Sequence, residues 1–288
     1  MTELSKKYVL ERLPVRPAES NKGTYGKLLC VVGSTQYRGA AALCTEGALR
    51  TGAGLVALAS VEPVVNNVVL RLPEAVLLPC RTDEQGCIAA DEASRLAEYA
   101  RGCTAAVMGC GMGNTPAAAV LVETLARHTD ILLVLDADAL NAAARQFPRR
   151  KDANLIVTPH PGEMARLTGL SVAQVQADRV GTARKFAAAH NCIVLLKGHH
   201  TVIAAPDGQC FLNPTGNPGM AKGGSGDVLA GMIGALLAQK LPPLAAACCG
   251  AWLHGTAGDM AAARLGQYGM LPHDLLTELC FFFAQNGR

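Results

Sequence analysis

The chain has 288 residues, half of them hydrophobic and 17% charged, with a formal net charge of +3 and 4% aromatic residues. That balance can bury a sizeable core, and it offers nucleic acid neither a long basic run nor a stacking platform. Residues 1–20 are polar, with no apolar core of a signal peptide, and the longest apolar run, VLAGMIGALLA at 228–238, is too short to span a bilayer.

Eleven cysteines without a C-x-x-C pair read as buried thiols in a reducing cytoplasm, where the chain is expected to act. No ligand-type spacing accompanies the adjacent Cys248 and Cys249, so no redox or metal role is assigned to them.

Apolar, β-branched runs at 27–32, 54–60, 105–109, 131–136, 154–159 and 192–198 read as strands. Their near-continuous apolarity suits strands buried on both faces. Helical patterns at about 39–51, 91–101, 115–128, 138–146 and 171–190 fall between them, an order that predicts an α/β fold with a mostly parallel sheet. Residues 200–212 read as a hairpin around PDG, and the remainder as helices at 226–240, 243–264 and 272–285. No linker or repeat interrupts the sequence, so residues 1–288 are taken as a single domain.

Ligands of open parallel sheets bind beyond the carboxyl ends of the strands. Here nearly every strand empties into glycine or polar residues: GSTQYRGAA, GCGMGN, DADALN, TPHPGE, KGHHT and, after the hairpin, GNPGMAKGGSGDVLAG at 216–231. That convergence predicts one large site.

In the last stretch, Gly223, Gly224, Ser225 and Gly226 precede a helix beginning near Asp227. Successive backbone N–H groups and the helix dipole suit a phosphate, and Asp227 is placed to act as a base. The plainer alternative makes Asp227 an N-cap and the glycines a mobile loop. In KGHHT, Lys197 is a point charge suited to phosphate and Gly198 permits close backbone approach, whereas His199 and His200 read as exposed turn residues. Two prolines stiffen the backbone around His160. Glu163 either reaches magnesium through water or merely caps a helix. Asp136 is a candidate for orienting hydroxyls or magnesium waters, and Asp138 reads as an N-cap. Neither a Walker A loop nor a proper Rossmann fingerprint is present.

Taken in this order, the segments resemble the ribokinase-like superfamily, whose signature is a glycine-rich anion hole ending in Asp, here GGSGD at 223–227. NKGTYGKLLCVVGS at 21–34, LDADALN, TPHPGEMARL, KGHHT and NPTGNPGMAKGGSGDVLAG at 213–231 are similar to the NAD(P)H-hydrate dehydratases, over residues 20–285. The resemblance implies a three-layer α/β/α fold and a repair reaction. In that reaction a nucleotide phosphorylates the hydroxyl of hydrated NADH or NADPH, and phosphate then leaves with a proton to restore the cofactor.

Carried over by position, the resemblance makes Asp227 the catalytic acid–base group and Gly224, Ser225 and Gly226 the anion hole. Lys197, Gly198, His199, His200 and Thr201 become the nucleotide segment, together with Gly226. Ala40 or Ala41, Gly111, His160 and Asp227 become hydrate contacts, and Glu163 a water-mediated magnesium ligand. The chain departs from the family at Cys110, where Pro is common, and at Lys222 and Ser225, where Thr is frequent. With neither targeting peptide nor fused epimerase in view, the expectation is a free-standing bacterial form. That form would use ADP as phosphoryl donor, with ATP the alternative, assemble as a homo-oligomer (a tetramer by its bacterial relatives), and work alongside a separate epimerase. The rival readings are a ribokinase-like kinase of a vitamin precursor or sugar, and a non-catalytic nucleotide sensor.

Overall fold

A computed structural model describes residues 1–148, 150 and 152–288. In chain order the elements are β1 (Thr2–Glu3), α1 (Lys6–Arg12), β2 (Lys27–Val31), α2 (Arg38–Arg50), β3 (Leu55–Val61), α3 (Glu62–Val68), β4 (Val76–Cys80), α4 (Ala93–Arg101), β5 (Ala105–Met108), α5 (Pro116–His128), β6 (Leu132–Leu135) and α6 (Asp138–Ala143). There follow β7 (Leu155–Val157), α7 (Pro161–Thr168), α8 (Val172–Ala177), α9 (Arg179–His190), β8 (Ile193–Leu196), β9 (Thr201–Ala204), β10 (Cys210–Asn213), α10 (Ser225–Ala238), α11 (Pro243–Gly269) and α12 (Pro272–Gln285).

The strands form one sheet in the order β1-β10-β9-β8-β7-β6-β5-β2-β3-β4. Strands β2 to β8 pair in parallel, and the β9–β10 hairpin turns antiparallel at one side. Every residue of β5 and β8 is buried, on both sides of the pleat. Helices therefore cover both faces and give three layers, as the continuous apolar runs predict. Helix α10 lies against β2, β5 and β6 and is packed on by α2. Twelve of its 14 residues are buried, so its start is fixed relative to the strand ends.

Four elements escape the sequence reading: the edge strand β1, α1, α3 and β4. Strand β4 carries exposed and half-buried residues and a proline, so it lacks the apolar run of an inner strand. The single helix expected at 171–190 is two, divided at Asp178, whose carboxylate accepts from Gly181 N–H at 2.7 Å and so starts α9. Helix α11 runs past the expected 264 to Gly269, with a break at Gly266 (φ 71°, ψ 155°).

Candidate active site

Strands β5, β6, β7 and β8 end side by side, and each delivers a polar or glycine-rich segment to the same sheet edge. The ladder continues one step past the strands: Asp136 N–H donates to Met108 O (3.0 Å), Thr158 N–H to Leu135 O (3.1 Å) and Lys197 N–H to Pro159 O (2.8 Å). These bonds fix the direction in which each side chain leaves the sheet. Between β2 and β5 the strand order reverses, which opens the crevice where such sheets bind ligands. There Gly33, at φ 82°, donates its N–H to Cys110 O at 2.8 Å and ties the two loops together.

Asp136 is buried at the end of β6, and its Oδ1 accepts from Lys197 Nζ and from Thr158 Oγ1, both at 2.7 Å. Lys197 Nζ also lies 3.9 Å from Glu163 Oε2. Burial alone would lower the Lys197 pKa, but the Asp136 and Glu163 carboxylates outweigh it and hold the ammonium above its ordinary value. Glu163 is pushed up by burial, against the pull of Lys197.

His160 caps α7: its Nδ1 accepts from Gly162 N–H (2.9 Å) and Glu163 N–H (3.3 Å), while Glu163 Oε2 accepts from His160 N–H (2.7 Å). This reciprocal capping box fixes both side chains. Burial, and then the charges of Lys197 and Arg166, lowers the His160 pKa.

Helix α10 begins at Ser225, two residues before the Asp227 expected from sequence. Gly224 is its N-cap in the left-handed region, at φ 103°. A Cβ there would meet Leu43 Cδ1 at 2.6 Å, so the position needs glycine on two counts. The first N–H groups of a helix have no intrahelical acceptor; here Ser225 N–H donates to Lys222 O at 3.3 Å, and Gly226 lies beside the Lys197–Asp136 pair. A Cβ on Gly226 would stand 3.5 Å from Lys197 Nζ and 3.8 Å from Asp136 Oδ2.

Asp227, in the same first turn, brings a carboxylate oxygen within 4.8 Å of an Asp136 oxygen and of Cys110 Sγ. Burial, then the Asp136 charge, raises its pKa to about 6, against the opposing contacts of Cys110 and Lys197. It is therefore poised as a proton acceptor near neutral pH.

The turn after β8 is fastened by Arg179, a residue the sequence reading passes over. Its Nη1 donates to His199 O (2.6 Å) and His200 O (3.2 Å), and its Nη2 to Leu196 O (3.0 Å). His199 and His200 are exposed, with rings stacked at 4.0 Å. This agrees with the reading of them as turn residues.

A cavity of about 720 Å³ opens beside this turn, bounded by His160, Lys197 to Thr201, the segment 213–222, Gly226 and α11. Its size suits a nucleotide-sized ligand. The segment 213–222 is held to α11: Asp259 accepts from Gly216 N–H and Asn217 Nδ2, and Lys222 Nζ donates to Tyr268 O and Met270 O. Lys222 is thereby committed to structure.

Not every expected residue faces this cavity. Gly111 and Ala40 lie outside its lining and adjoin each other, since a Cβ on Gly111 would meet Ala40 Cβ at 2.9 Å. Ala41 is fully buried, so of the two alanines only Ala40 is available to a ligand through its side chain. Asp138 does not cap its own helix, which starts after Ala137 at φ 47°; its Oδ2 accepts instead from Gly113 N–H at 2.8 Å.

His254, on α11, lines the cavity and was not singled out from the sequence; burial lowers its pKa to about 4. A lone histidine inside the apolar run AWLHG was the available signal.

The NAD(P)H-hydrate dehydratase family model matches residues 28–280. The chain belongs to the NAD(P)H-hydrate dehydratase family. The ADP-dependent (S)-NAD(P)H-hydrate dehydratase of Neisseria meningitidis is 44% identical over 257 residues, covering 87% of this chain and 82% of that one. The ADP/ATP-dependent NAD(P)H-hydrate dehydratase of Bacillus subtilis, co-crystallised with ATP and Mg²⁺, superposes with a TM-score of 0.88 at 35% identity over 99% of this chain and 98% of that one. A ribokinase-like superfamily protein from Enterococcus faecalis gives a TM-score of 0.88 at 27% identity, covering 99% and 96% of the two chains. The fold is therefore ribokinase-like. The chain spans about half the length of other curated relatives, the bifunctional NAD(P)H-hydrate repair enzymes.

Proposed function

We propose that the chain catalyses the ADP-dependent dehydration of the S-epimer of NAD(P)H hydrate, restoring NADH or NADPH with release of AMP and phosphate. The observation that carries this reading is Asp227, a carboxylate with its pKa raised to about 6 in the first turn of the helix whose N-terminus faces Lys197. Membership of the family supplies the reaction class.

The chain's own groups divide the work as follows. Asp227 accepts the proton of the hydrate hydroxyl as its oxygen attacks the terminal phosphorus of ADP. The bond to the α-phosphate oxygen breaks and AMP leaves. The backbone N–H groups at Gly224, Ser225 and Gly226 hold the transferring phosphoryl group at the positive end of α10. Lys197, kept charged by Asp136, faces the same group across Gly226. The 197–201 turn and His160 border the nucleotide cavity, and Ala40 and Gly111, which adjoin each other outside it, would contact the hydrate. Once phosphorylated, the hydroxyl leaves as phosphate while the adjacent ring carbon loses a proton, and the double bond returns.

The donors fit a hydrated magnesium ion rather than a caged one. Asp136 Oδ1 is taken by Lys197 and Thr158, and Glu163 Oε2 by the His160 N–H. Glu163 and Asp136 would thus reach an ion through water, with nucleotide phosphates as its direct ligands. When bound, such an ion supplies charge neutralisation on the phosphates.

The same reading includes self-association and a separate epimerase partner. Leu265, Tyr268 and Leu271 are exposed near the end of α11 and supply apolar surface for a second copy. The eleven free thiols fit a reducing cytoplasm, and no helix among the described residues is long and apolar enough to cross a membrane.

The test is to supply hydrated NADH and Mg²⁺ with ADP, then with ATP, and follow the return of dihydronicotinamide absorbance. Recovery with stoichiometric AMP and phosphate under ADP is expected. Recovery under ATP alone would correct the donor, and recovery with neither would move the small-molecule kinase forward.

A further inference from the structure

We propose that Cys110, Asp136 and Asp227 form a binding site for a thiophilic divalent cation such as Zn²⁺ or Cd²⁺, distinct in chemistry from the magnesium carried by a nucleotide. Their ligand atoms lie within 4.8 Å of one another. They come from three different segments: the turn after β5, the end of β6 and the first turn of α10.

The distances suit tetrahedral coordination. An ion about 2.3 Å from sulfur and about 2.0 Å from oxygen places those two ligands about 3.5 Å apart. Cys110 Sγ and Asp136 Oδ2 are 3.7 Å apart. Lys197 and Thr158 both occupy Oδ1, so Oδ2 is left to the Cys110 thiol, which donates to it and whose proton an ion would replace. An Asp227 oxygen within 4.8 Å of both Cys110 Sγ and an Asp136 oxygen would close on them to complete three protein ligands, and a water or phosphate oxygen would take the fourth position.

The charges agree. The carboxylates of Asp136, Glu163 and Asp227 gather around the single ammonium of Lys197, so carboxylates outnumber cations at the site. A dication that displaces the thiol proton brings two positive charges and creates one thiolate, a net gain of one positive charge that offsets part of that excess. The donor set also sets the selectivity. Thiolate sulfur favours zinc and cadmium, whereas magnesium takes oxygen donors and keeps its waters. Cys110 is buried, and Asp227 forms the partly exposed mouth of the trio.

The consequence rests on the function proposed above. An ion here occupies the carboxylate assigned as base, so a thiophilic metal would arrest the dehydratase even in a large excess of Mg²⁺.

Two measurements separate the site from that function. In the first, metal-free protein in excess Mg²⁺ is titrated with Cd²⁺, and the ultraviolet thiolate-to-cadmium charge-transfer band is recorded. The band is expected to saturate at a single equivalent and to vanish in both Cys110→Ala and Cys110→Ser. It should persist in Cys280→Ser and Cys103→Ser, which remove the half-buried thiols elsewhere. Asp227→Asn should weaken the affinity by about tenfold or more. A band absent from the wild type, unchanged in both Cys110 variants, or insensitive to Asp227→Asn overturns the proposal whatever the enzyme's activity. In the second, Zn²⁺ inhibition is expressed as a ratio to each variant's own uninhibited rate. The inhibitory concentration should rise about tenfold or more in Cys110→Ser, and an unshifted value would overturn the regulatory consequence while leaving the binding result intact.

Discussion

Lys197 Nζ lies 2.7 Å from Asp136 Oδ1 beneath the first turn of α10, and the two side chains are only 21% and 2% exposed. The pair joins the ends of β8 and β6 across the intervening strand β7. Buried pairs contribute little net stability, because desolvation offsets their attraction, but removing one partner strands the other charge. Lys197→Met should therefore destabilise the fold by about 3 kcal/mol. Lys197→Met combined with Asp136→Asn should recover much of that loss without recovering turnover. Urea unfolding of the two single variants and the double variant measures the coupling; additive effects would show that the pair does not act as a unit.

Asp227 carries a sign that can be checked twice. Its folded pKa, about 6, lies above the ordinary aspartate value of 3.8. The base form is therefore populated above pH 6, so kcat/KM should rise through about pH 6 and then level. Asp227→Asn should abolish turnover while retaining nucleotide binding.

The same shift acts on stability in the opposite sense. The folded state holds its proton more tightly than the unfolded state, so this contribution is fully present below the unfolded pKa and is lost as pH rises through about 6. Asp227→Asn should therefore be more stable than the wild type at pH 8, by up to about 2–3 kcal/mol. The advantage should shrink as pH falls toward 4. Denaturant midpoints at the two pH values read it directly.

Gly224 and Gly226 separate folding from function at one helix start. Gly224 sits at φ 103° against Leu43, so Gly224→Ala should lower stability by about 1–3 kcal/mol. Gly226 lies inside the helix, and its added methyl would meet the Lys197–Asp136 pair at ordinary contact distance. Gly226→Ala should keep or raise the Tm while weakening ADP binding about tenfold or more, by filling the space a phosphate oxygen needs. Calorimetric titration with ADP, beside thermal melts, distinguishes the two effects.

His254 is buried, with its pKa lowered to about 4 by desolvation against the opposing effect of a backbone hydrogen bond at Ser225. The unfolded chain binds a proton here near pH 6.5 that the folded chain refuses. This contribution is present above that value and is lost as pH falls from about 6.5 toward 4. His254→Leu should flatten the loss of stability between pH 7 and pH 5 relative to the wild type. An unchanged slope would show that other groups carry the acid sensitivity.

The parallel core was legible because β5, β6 and β8 are buried on both faces and therefore read as unbroken apolar runs. The glycine-rich start of α10 was legible for a local reason too, since Gly224 needs a positive φ and only a few residue types tolerate one. Elements with weaker local signals were missed. The edge strand β4 exposes part of its length, and α1 has only seven residues and one fully buried side chain.

The sequence by itself determined the alternation of the inner strands with helices, the glycine-rich start of α10 to within two residues and the polar segments that leave the strand ends, because periodicity, glycine chemistry and chain order are local properties. Only the tertiary structure decided how those residues use one another. It paired Lys197 with Asp136 across 61 positions of sequence, gave Asp138 to Gly113 rather than to its own helix, buried Ala41 while leaving Ala40 beside Gly111, and set His254 in the cavity wall. It also placed Cys110 against Asp136, and Asp227 near both. Burial and charge proximity are properties of the packed chain, and they fix which carboxylate holds a proton and which ammonium is held in place.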